Sequence, residues 1–266
     1  MSTVGLVVHS GRAEAVALAH TVRAWLAQRE HQVVDAESDA PGPVDLVLAI
    51  GGDGTVLRAA RWAAEADADV LGINLGELGY LAEVEPDGWE DALGAYFAGR
   101  HRIQERMLVA CAADDGRTLP LALNEVVIEK QDLGRTVRLS VAIDGGYFTS
   151  YVADGLIVAT PTGSTAYSLS ARGPIVDPSH RALIATPVSP HTLFDRSLVL
   201  GPSSVVEVTV QGDRDATLVI DGQPHGLAEV GRRITITAAP DPARFARFGG
   251  RSFHQVLKAK FGLSDR

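Results

Sequence analysis

The sequence predicts two domains of different class: an α/β domain on a parallel sheet, then a β-rich domain, with a final helix that returns to the first. Three observations carry this prediction. Strand and helix patterns alternate up to about residue 100. Beyond it the hydrophobic period drops to two and turn signals crowd in. The chain opens acidic and closes on a basic, amphipathic segment. The expected boundaries are 1–100 plus 242–266 for the first domain and 101–241 for the second. A chain of 266 residues is long enough for both to bury a core.

The elements follow in order. Thr3–His9 and His31–Ala36 read as strands around a helix from about Glu14 to Arg29, with Ala15, Leu18, Val22, Trp25 and Leu26 on one face. Leu46–Ile50 is an unbroken apolar run ending in Gly-Gly, as a strand buried on both faces requires. A helix from about Val56 to Ala66 and a strand at Val70–Asn74 come next. A third helix is expected to begin near Pro86, a favoured first-turn residue, and to bury Trp89, Leu93 and Phe97. In the second domain, Val137–Ile143 and Tyr147–Val152 flank the hairpin turn Asp144-Gly145-Gly146. Further strands are expected at Leu121–Glu129, Gly155–Ala159, Val205–Val210, Thr217–Ile220 and Arg233–Thr237. A short helix follows Thr162, and Phe253–Phe261 forms the last one. No internal repeat or low-complexity segment is found.

Composition narrows the function. Hydrophobic residues make up 46% and charged residues 21%, the balance of a globular chain. No apolar run approaches the ~20 residues that span a bilayer, and the first residues lack a basic n-region, so neither a membrane span nor a signal peptide is expected. Cys111 is the single cysteine, which rules out an intrachain disulfide or multi-cysteine zinc site and suits a reducing cytoplasm. Residues 1–100 hold 16 Asp/Glu against 6 Arg and no Lys, and residues 242–266 hold 6 Arg/Lys and one acid. An acidic chain is a poor candidate for nucleic-acid binding. Its basic tail is expected to dock on the acidic first domain through a stripe of Phe253, Val256, Leu257 and Phe261. The eight histidines show no zinc-binding spacing, and Ser164 lacks the glycines of a nucleophile elbow.

The strongest chemical signal is Gly51-Gly52-Asp53-Gly54-Thr55, at the turn from a buried strand into a helix, where open α/β sheets bind ligands. Glycines let backbone amides reach phosphate oxygens, and the helix offers its positive end. An acid inside such a loop repels phosphate, so Asp53 points to different chemistry, either accepting a hydroxyl proton or holding Mg²⁺ against phosphates. The plainer alternative is an ordinary turn with Asp53 as a solvated cap. The P-loop motif and the G-x-G-x-x-G fingerprint are both missing.

A second signal runs from Asp154 to Ser170, DGLIVATPTGSTAYSLS. Small hydroxylated residues there suit ribose hydroxyls and phosphates, though the same residues also make turns and caps. Asn124-Glu125, taken alone, reads equally as a polar strand interruption open to water.

Together these pieces resemble the NAD kinase family, in order along most of the chain. They are Gly51–Thr55 with Leu57 and Arg58, GINLG at 72–76 with Leu78-Gly79-Tyr80-Leu81, Ala122-Leu123-Asn124-Glu125, Asp154–Ser170, Pro190-His191-Thr192-Leu193, and Asp221-Gly222-Gln223. The first piece is shared with diacylglycerol and sphingosine kinases and loosely with phosphofructokinases, whereas Asn124-Glu125 with Thr160–Tyr167 singles out NAD kinases. The family often has Phe where Tyr80 stands and Cys or Ser where Ala153 stands.

The resemblance implies a β-sandwich second domain and phosphoryl transfer from ATP, or polyphosphate, to the adenosine 2′-hydroxyl of NAD, giving NADP. It implies Asp53 as general base, with Gly51, Gly52, Gly54 and Thr55 at the donor phosphates. Asn124, Glu125, Asp154, Thr165, Ala166, Tyr167, Ser168, Leu169 and Ser170 would bind NAD, with Arg58, Tyr80, Arg135 and Gln223 as secondary contacts. Mg²⁺ or another divalent cation is the implied cofactor, and a cytoplasmic homo-oligomer, dimer or tetramer, the implied assembly. A lipid or sugar kinase of the same loop class, a dinucleotide-binding regulator and a dehydrogenase are the alternatives.

Overall fold

A computed structural model describes residues 1–35, 43–76 and 79–263. Ala36, the expected end of the second strand, and Leu78, in one family motif, lie outside the described residues. The chain divides into two units: Met1–Glu105 with Ala243–Arg266, and Arg106–Pro242.

In the first unit, β1 (Thr3–Val8), α1 (Ala13–Ala27), β2 (Gln32–Asp35), β3 (Leu46–Gly51), α2 (Asp53–Ala66) and β4 (Asp69–Asn74) follow the expected alternation. All six residues of β3 and of β4 are buried. Alternate residues serve opposite faces of the sheet. Leu46, Leu48, Ile50, Leu71 and Ile73 pack with Val22, Trp25 and Leu26 of α1 and with Leu93. On the other face Trp62 of α2 covers Gly5, where any Cβ would overlap the indole ring, and Val56 lies against Gly72.

Helix α3 (Trp89–Phe97) starts later than expected. Gly88 N–H bonds back to the Glu85 carbonyl at 3.0 Å, so Pro86 occupies the second position of a turn, the other place its fixed φ is favoured. Leu93 is fully buried, while Trp89 and Phe97 are half-buried beside Trp25. Strand β5 (Arg102–Arg106) then closes the edge of the sheet.

The second unit is two antiparallel sheets. Its strands are β6 (Val109–Ala113), β7 (Glu125–Lys130), β8 (Val137–Ile143), β9 (Gly146–Ala153), β10 (Gly155–Ala159), β11 (Leu183–Val188), β12 (Leu198–Leu200), β13 (Val206–Gln211), β14 (Ala216–Ile220), β15 (Gln223–Ala228) and β16 (Arg233–Ala238). One sheet runs β12-β11-β10-β7-β14-β15 and the other β6-β16-β13-β8-β9. Inward residues of both, among them Ile128, Leu156, Leu218, Leu139, Val208 and Ile236, form a single core. The β8–β9 turn has positive φ at Asp144 and Gly145, the type I′ geometry its sequence calls for. The only helical pieces between strands here, among the described residues, are a 3₁₀ turn at Thr162–Thr165 and α4 (Tyr167–Ser170).

The expected strand over Leu121–Glu129 begins four residues late, at Glu125. The amides of Leu123, Asn124 and Glu125 donate to the Asp221 carboxylate at 2.9, 2.8 and 3.1 Å, which draws this stretch out of a regular ladder.

The chain returns to the first unit through a strand as well as a helix. β17 (Ala243–Arg247) lies between β4 and β5, parallel to β4, and α5 (Phe253–Lys260) follows. Phe245 is fully buried, and Arg244 pairs with Asp69 at 3.0 Å. The expected apolar stripe of α5 is weaker than its spacing suggests. Phe253, Val256 and Leu257 are only half-buried and Phe261 is exposed, because the anchoring apolar side chain sits in β17. No helix among the described residues is long and apolar enough to cross a membrane.

Candidate functional site

In the first unit the C-terminal ends of β1, β3 and β4 meet around the Gly51–Thr55 loop. The three glycines do different work. A Cβ on Gly51 would overlap Thr55 Oγ1 and press on His9, so Gly51 is demanded by packing. At Gly52 and Gly54 a Cβ would meet nothing within 4 Å; glycine there keeps the first-turn amides open to an incoming group. Thr55 is buried beneath the loop, and Gly54 and Arg58 are exposed. Arg58 Nη2 reaches the Val8 carbonyl at 3.2 Å, and Arg12 Nη1 bonds to that of Leu75. Two guanidinium groups therefore flank the open loop in an otherwise acidic unit.

Asp53 is the first residue of α2, yet its carboxylate does not cap that helix. It accepts the backbone N–H of Tyr80 at 2.9 Å and of Leu81 at 3.1 Å. The approach is so close that a Cβ on Gly79 would overlap Asp53 Oδ1. The solvated-cap alternative thus fails: the acid is half-buried, and both oxygens are directed by a separate segment. Tyr80 stands beside α5, its ring centroid 6.3 Å from that of Phe253 and 4.6 Å from Lys260 Nζ.

In the second unit the central strands β7 and β10 place Glu125 opposite Ala159. Thr160 N–H donates to the Asn124 carbonyl at 2.8 Å, and Thr160 Oγ1 to that of Leu123 at 2.6 Å. Gly163 lies directly on the Asn124 backbone, where a side chain could not fit. Glu125 is not the exposed interruption that its polarity allowed: it is 5% exposed. Burial first, and the nearby Asp221 charge second, push its carboxyl up to about 8, opposed by the Tyr167 backbone N–H. Its Oε2 is buried without a hydrogen-bond partner, an acceptor whose desolvation is uncompensated within the chain.

Asp154 forms an ion pair with Lys130 at 2.7 Å. Tyr167 lies within the field of Glu129, Asp154, Lys130 and Glu125, and burial together with these carboxylates raises its hydroxyl above the ordinary value. The hydroxyl-rich segment is split in two. Ser164 bonds to the Val176 backbone, and Ser168 shares a hydrogen bond with Thr186 at 3.2 Å, so both are spent on scaffolding. Tyr167 and Ser170 instead line a cavity of about 420 Å³ with Arg172, Ser189, Asp195 and Arg196. Thr165, Ala166 and Leu169 are half-buried, and Arg135 and Gln223 are exposed, on the β7–β8 connection and at the start of β15.

Sequence reasoning quoted Gly79 and Asp221 within matched motifs but gave them no role, and it passed over Lys130. Asp221-Gly222 carries positive φ at both residues, the signature of a tight hairpin turn, and that turn aims the Asp221 carboxylate at three consecutive amides. Lys130 is one of only three lysines in the chain, a signal that could have drawn attention to it.

Comparison with known proteins gives a consistent result. A family model described as the ATP-NAD kinase N-terminal domain matches residues 34–101, and one described as the ATP-NAD kinase C-terminal domain matches residues 123–248. An NAD kinase of Heliobacterium modesticaldum is 40% identical over 278 residues, covering 98% of this chain and 98% of that one. NAD kinase 1 of Streptomyces avermitilis is 37% identical and covers 100% of this chain and 88% of its own. Among solved structures, yeast NADH kinase complexed with NADH superposes with a TM-score of 0.91 at 23% identity, covering 100% of this chain and 89% of that one, a likeness of fold. An Archaeoglobus fulgidus NAD kinase in complex with ATP gives a TM-score of 0.76 at 25% identity, covering 98% and 96%.

Proposed function

The chain belongs to the NAD kinase family and phosphorylates NAD to NADP, and we propose that Asp53 is the base of that reaction, acting on the 2′-hydroxyl of the adenosine ribose. The observation that carries this reading is the Asp53 carboxylate, set in an open glycine loop and aimed by the Tyr80 and Leu81 amides. In the proposed step the 2′-oxygen attacks the terminal phosphorus of ATP as the bond to the bridging oxygen breaks. ADP leaves with that electron pair, and the hydroxyl proton passes to Asp53. Aspartate is a weak base in water, so the proton leaves late, as a loose phosphoryl-transfer transition state allows. Backbone amides at Gly52 and Gly54 and the flanking Arg58 stabilise charge on the donor phosphates.

On the acceptor side, Glu125 Oε2 is the group most in need of a partner, and a ribose hydroxyl supplies one. Asn124, Asp154, Tyr167 and Ser170 complete the NAD contacts in this reading, with Arg135 and Gln223 at its margin and Ser168 acting through the scaffold. Among the described residues no group of three or more His, Cys, Asp or Glu could hold a metal. A divalent ion such as Mg²⁺ would come with the donor and offset charge on its phosphates, with Asp53 the carboxylate of the loop that could help hold it. A homo-oligomer in the cytoplasm is part of the same proposal; the single cysteine and the family membership support it. Polyphosphate is the alternative donor.

The direct test is incubation of purified protein with NAD, ATP and Mg²⁺ and assay for NADP. NADP formation is expected. Phosphorylation of a lipid or sugar instead, binding of NAD without turnover, or oxidation of a substrate by NAD would each replace this reading with one of the alternatives.

A further inference from the structure

Asp53 is held by a segment that is itself held from the far end of the chain. Leu81 N–H donates to Asp53 Oδ1 at 3.1 Å, and the Leu81 carbonyl accepts Arg247 Nη1 at 2.8 Å. Arg247 lies at the end of β17 and is 7% exposed. Its other contacts fix it in turn. Nε donates to Gln104 Oε1 at 2.9 Å, Nη1 lies 3.5 Å from Glu83 Oε2, and the guanidinium carbon stands 5.2 Å over the Phe245 ring. Glu83 Oε1 accepts the amides of Phe248 and Gly250 at 3.0 and 2.6 Å. A two-way clasp thus joins residues 81–83 to residues 247–250, and Asp53 rests on it.

We infer that Arg247 is a positioning residue for phosphoryl transfer, fixing the Asp53 carboxylate through Leu81. A buried ion pair is a poor choice for stability alone, since apolar replacements of similar volume are often neutral or better. Its geometry is what an apolar side chain cannot reproduce. The planar fork reaches Leu81, Gln104 and Glu83 at once from nitrogens set apart in one plane, a spread that the compact ammonium of a lysine does not match. Burial pushes the Arg247 pKa down and the neighbouring Arg102 charge adds to this, while Glu83 and, less strongly, Asp53 act to hold it up. The C-terminal segment thereby becomes part of the active site's support rather than only an edge of the sheet.

This inference rests on Asp53 being the base, and a double-mutant cycle separates the two ideas. Arg247→Met, Asp53→Asn and the double variant are compared in the full-length protein for kcat, KM for NAD and melting temperature. Arg247→Met is expected to lower kcat by about 10–100-fold, the scale of a misplacement near 1 Å, with KM for NAD changed less than about threefold. Arg247→Lys keeps the charge but not the fork and should recover only part of the rate. In the Asp53→Asn background, Arg247→Met should lower kcat by less than about twofold, because the group it positions is gone. An equal loss in both backgrounds, or normal kcat in a folded Arg247→Met protein, overturns the positioning role. If Arg247→Met does not fold, the same criteria apply to Arg247→Lys. Near-normal turnover of Asp53→Asn would instead overturn the base assignment.

Discussion

Replacing Gly79 by alanine adds one methyl group directly against the proposed catalytic base. The new Cβ would lie 3.0 Å from Asp53 Cγ, 3.2 Å from Oδ2 and closer still to Oδ1. Contacts of carbon with oxygen become repulsive below about 3.3 Å, so the carboxylate must retreat by roughly 1 Å and give up its bonds to the Tyr80 and Leu81 amides. The three nearest atoms to the new Cβ all belong to Asp53, so the clash falls on its carboxylate. Each amide bond to a charged group contributes about 1.5–3 kcal/mol. Asp53 is half-exposed and water replaces much of what is lost, which leaves a stability cost of about 1–2 kcal/mol. Turnover should suffer more: a base misplaced by about 1 Å costs roughly 10²-fold. The assay is NADP formation at saturating NAD and ATP, with thermal melting alongside. A folded Gly79→Ala enzyme with kcat within about threefold of wild type would refute the claim that Asp53 must be held where it is.

Six other perturbations, in three groups, probe the rest. Glu125, with its carboxyl pushed up to about 8, binds its proton more tightly folded than unfolded. Its contribution is therefore fully present below the unfolded value near 4.5 and is lost as pH rises through about 8. Glu125→Gln should melt increasingly above wild type between pH 5 and pH 9, and a constant difference would contradict the burial argument. Asp154→Ala should raise KM for NAD by about tenfold or more with little effect on KM for ATP, and Lys130→Met should do the same in smaller measure through loss of its ion pair. Equal effects on both substrates would remove Asp154 from the acceptor site. Truncation after Asp241 deletes an interior strand and should unfold the first unit, and Phe245→Ala alone should cost about 3–5 kcal/mol. Truncation after Arg251 removes only the half-buried α5 and should change melting little; a collapse there would move the anchor from β17 to the helix.

The α/β half of the fold was legible because its signals are redundant. The apolar runs at Leu46–Ile50 and Val70–Asn74 are each flanked by a periodic helix and match strands buried throughout. The strands missed were those without such support. β17 reads as Ala-Arg-Phe-Ala-Arg, with its charges satisfied by groups distant in sequence such as Asp69, Glu83 and Gln104, and β15 carries a proline and a glycine at a sheet edge. The site was legible at the same level. Glycine and acid types marked the Gly51–Thr55 loop, but nothing local reveals that Asp53 answers to amides 27 and 28 positions away. The reverse held at Ser164 and Ser168, where hydroxyl composition suggested ligand contacts and the structure spends both groups on the scaffold.

The role of Asp53 is tested most directly by turnover of Asp53→Asn, with NAD affinity and melting temperature measured on the same preparation at two Mg²⁺ concentrations. The amide keeps the size of the side chain and one acceptor oxygen but cannot take the hydroxyl proton. NADP formation should fall by about 10²–10⁴-fold, or roughly 3–5 kcal/mol of barrier, with NAD affinity near normal and no recovery at high Mg²⁺. Rescue by Mg²⁺ would make Asp53 a metal anchor instead, and near-wild-type turnover from the folded variant would contradict the account altogether.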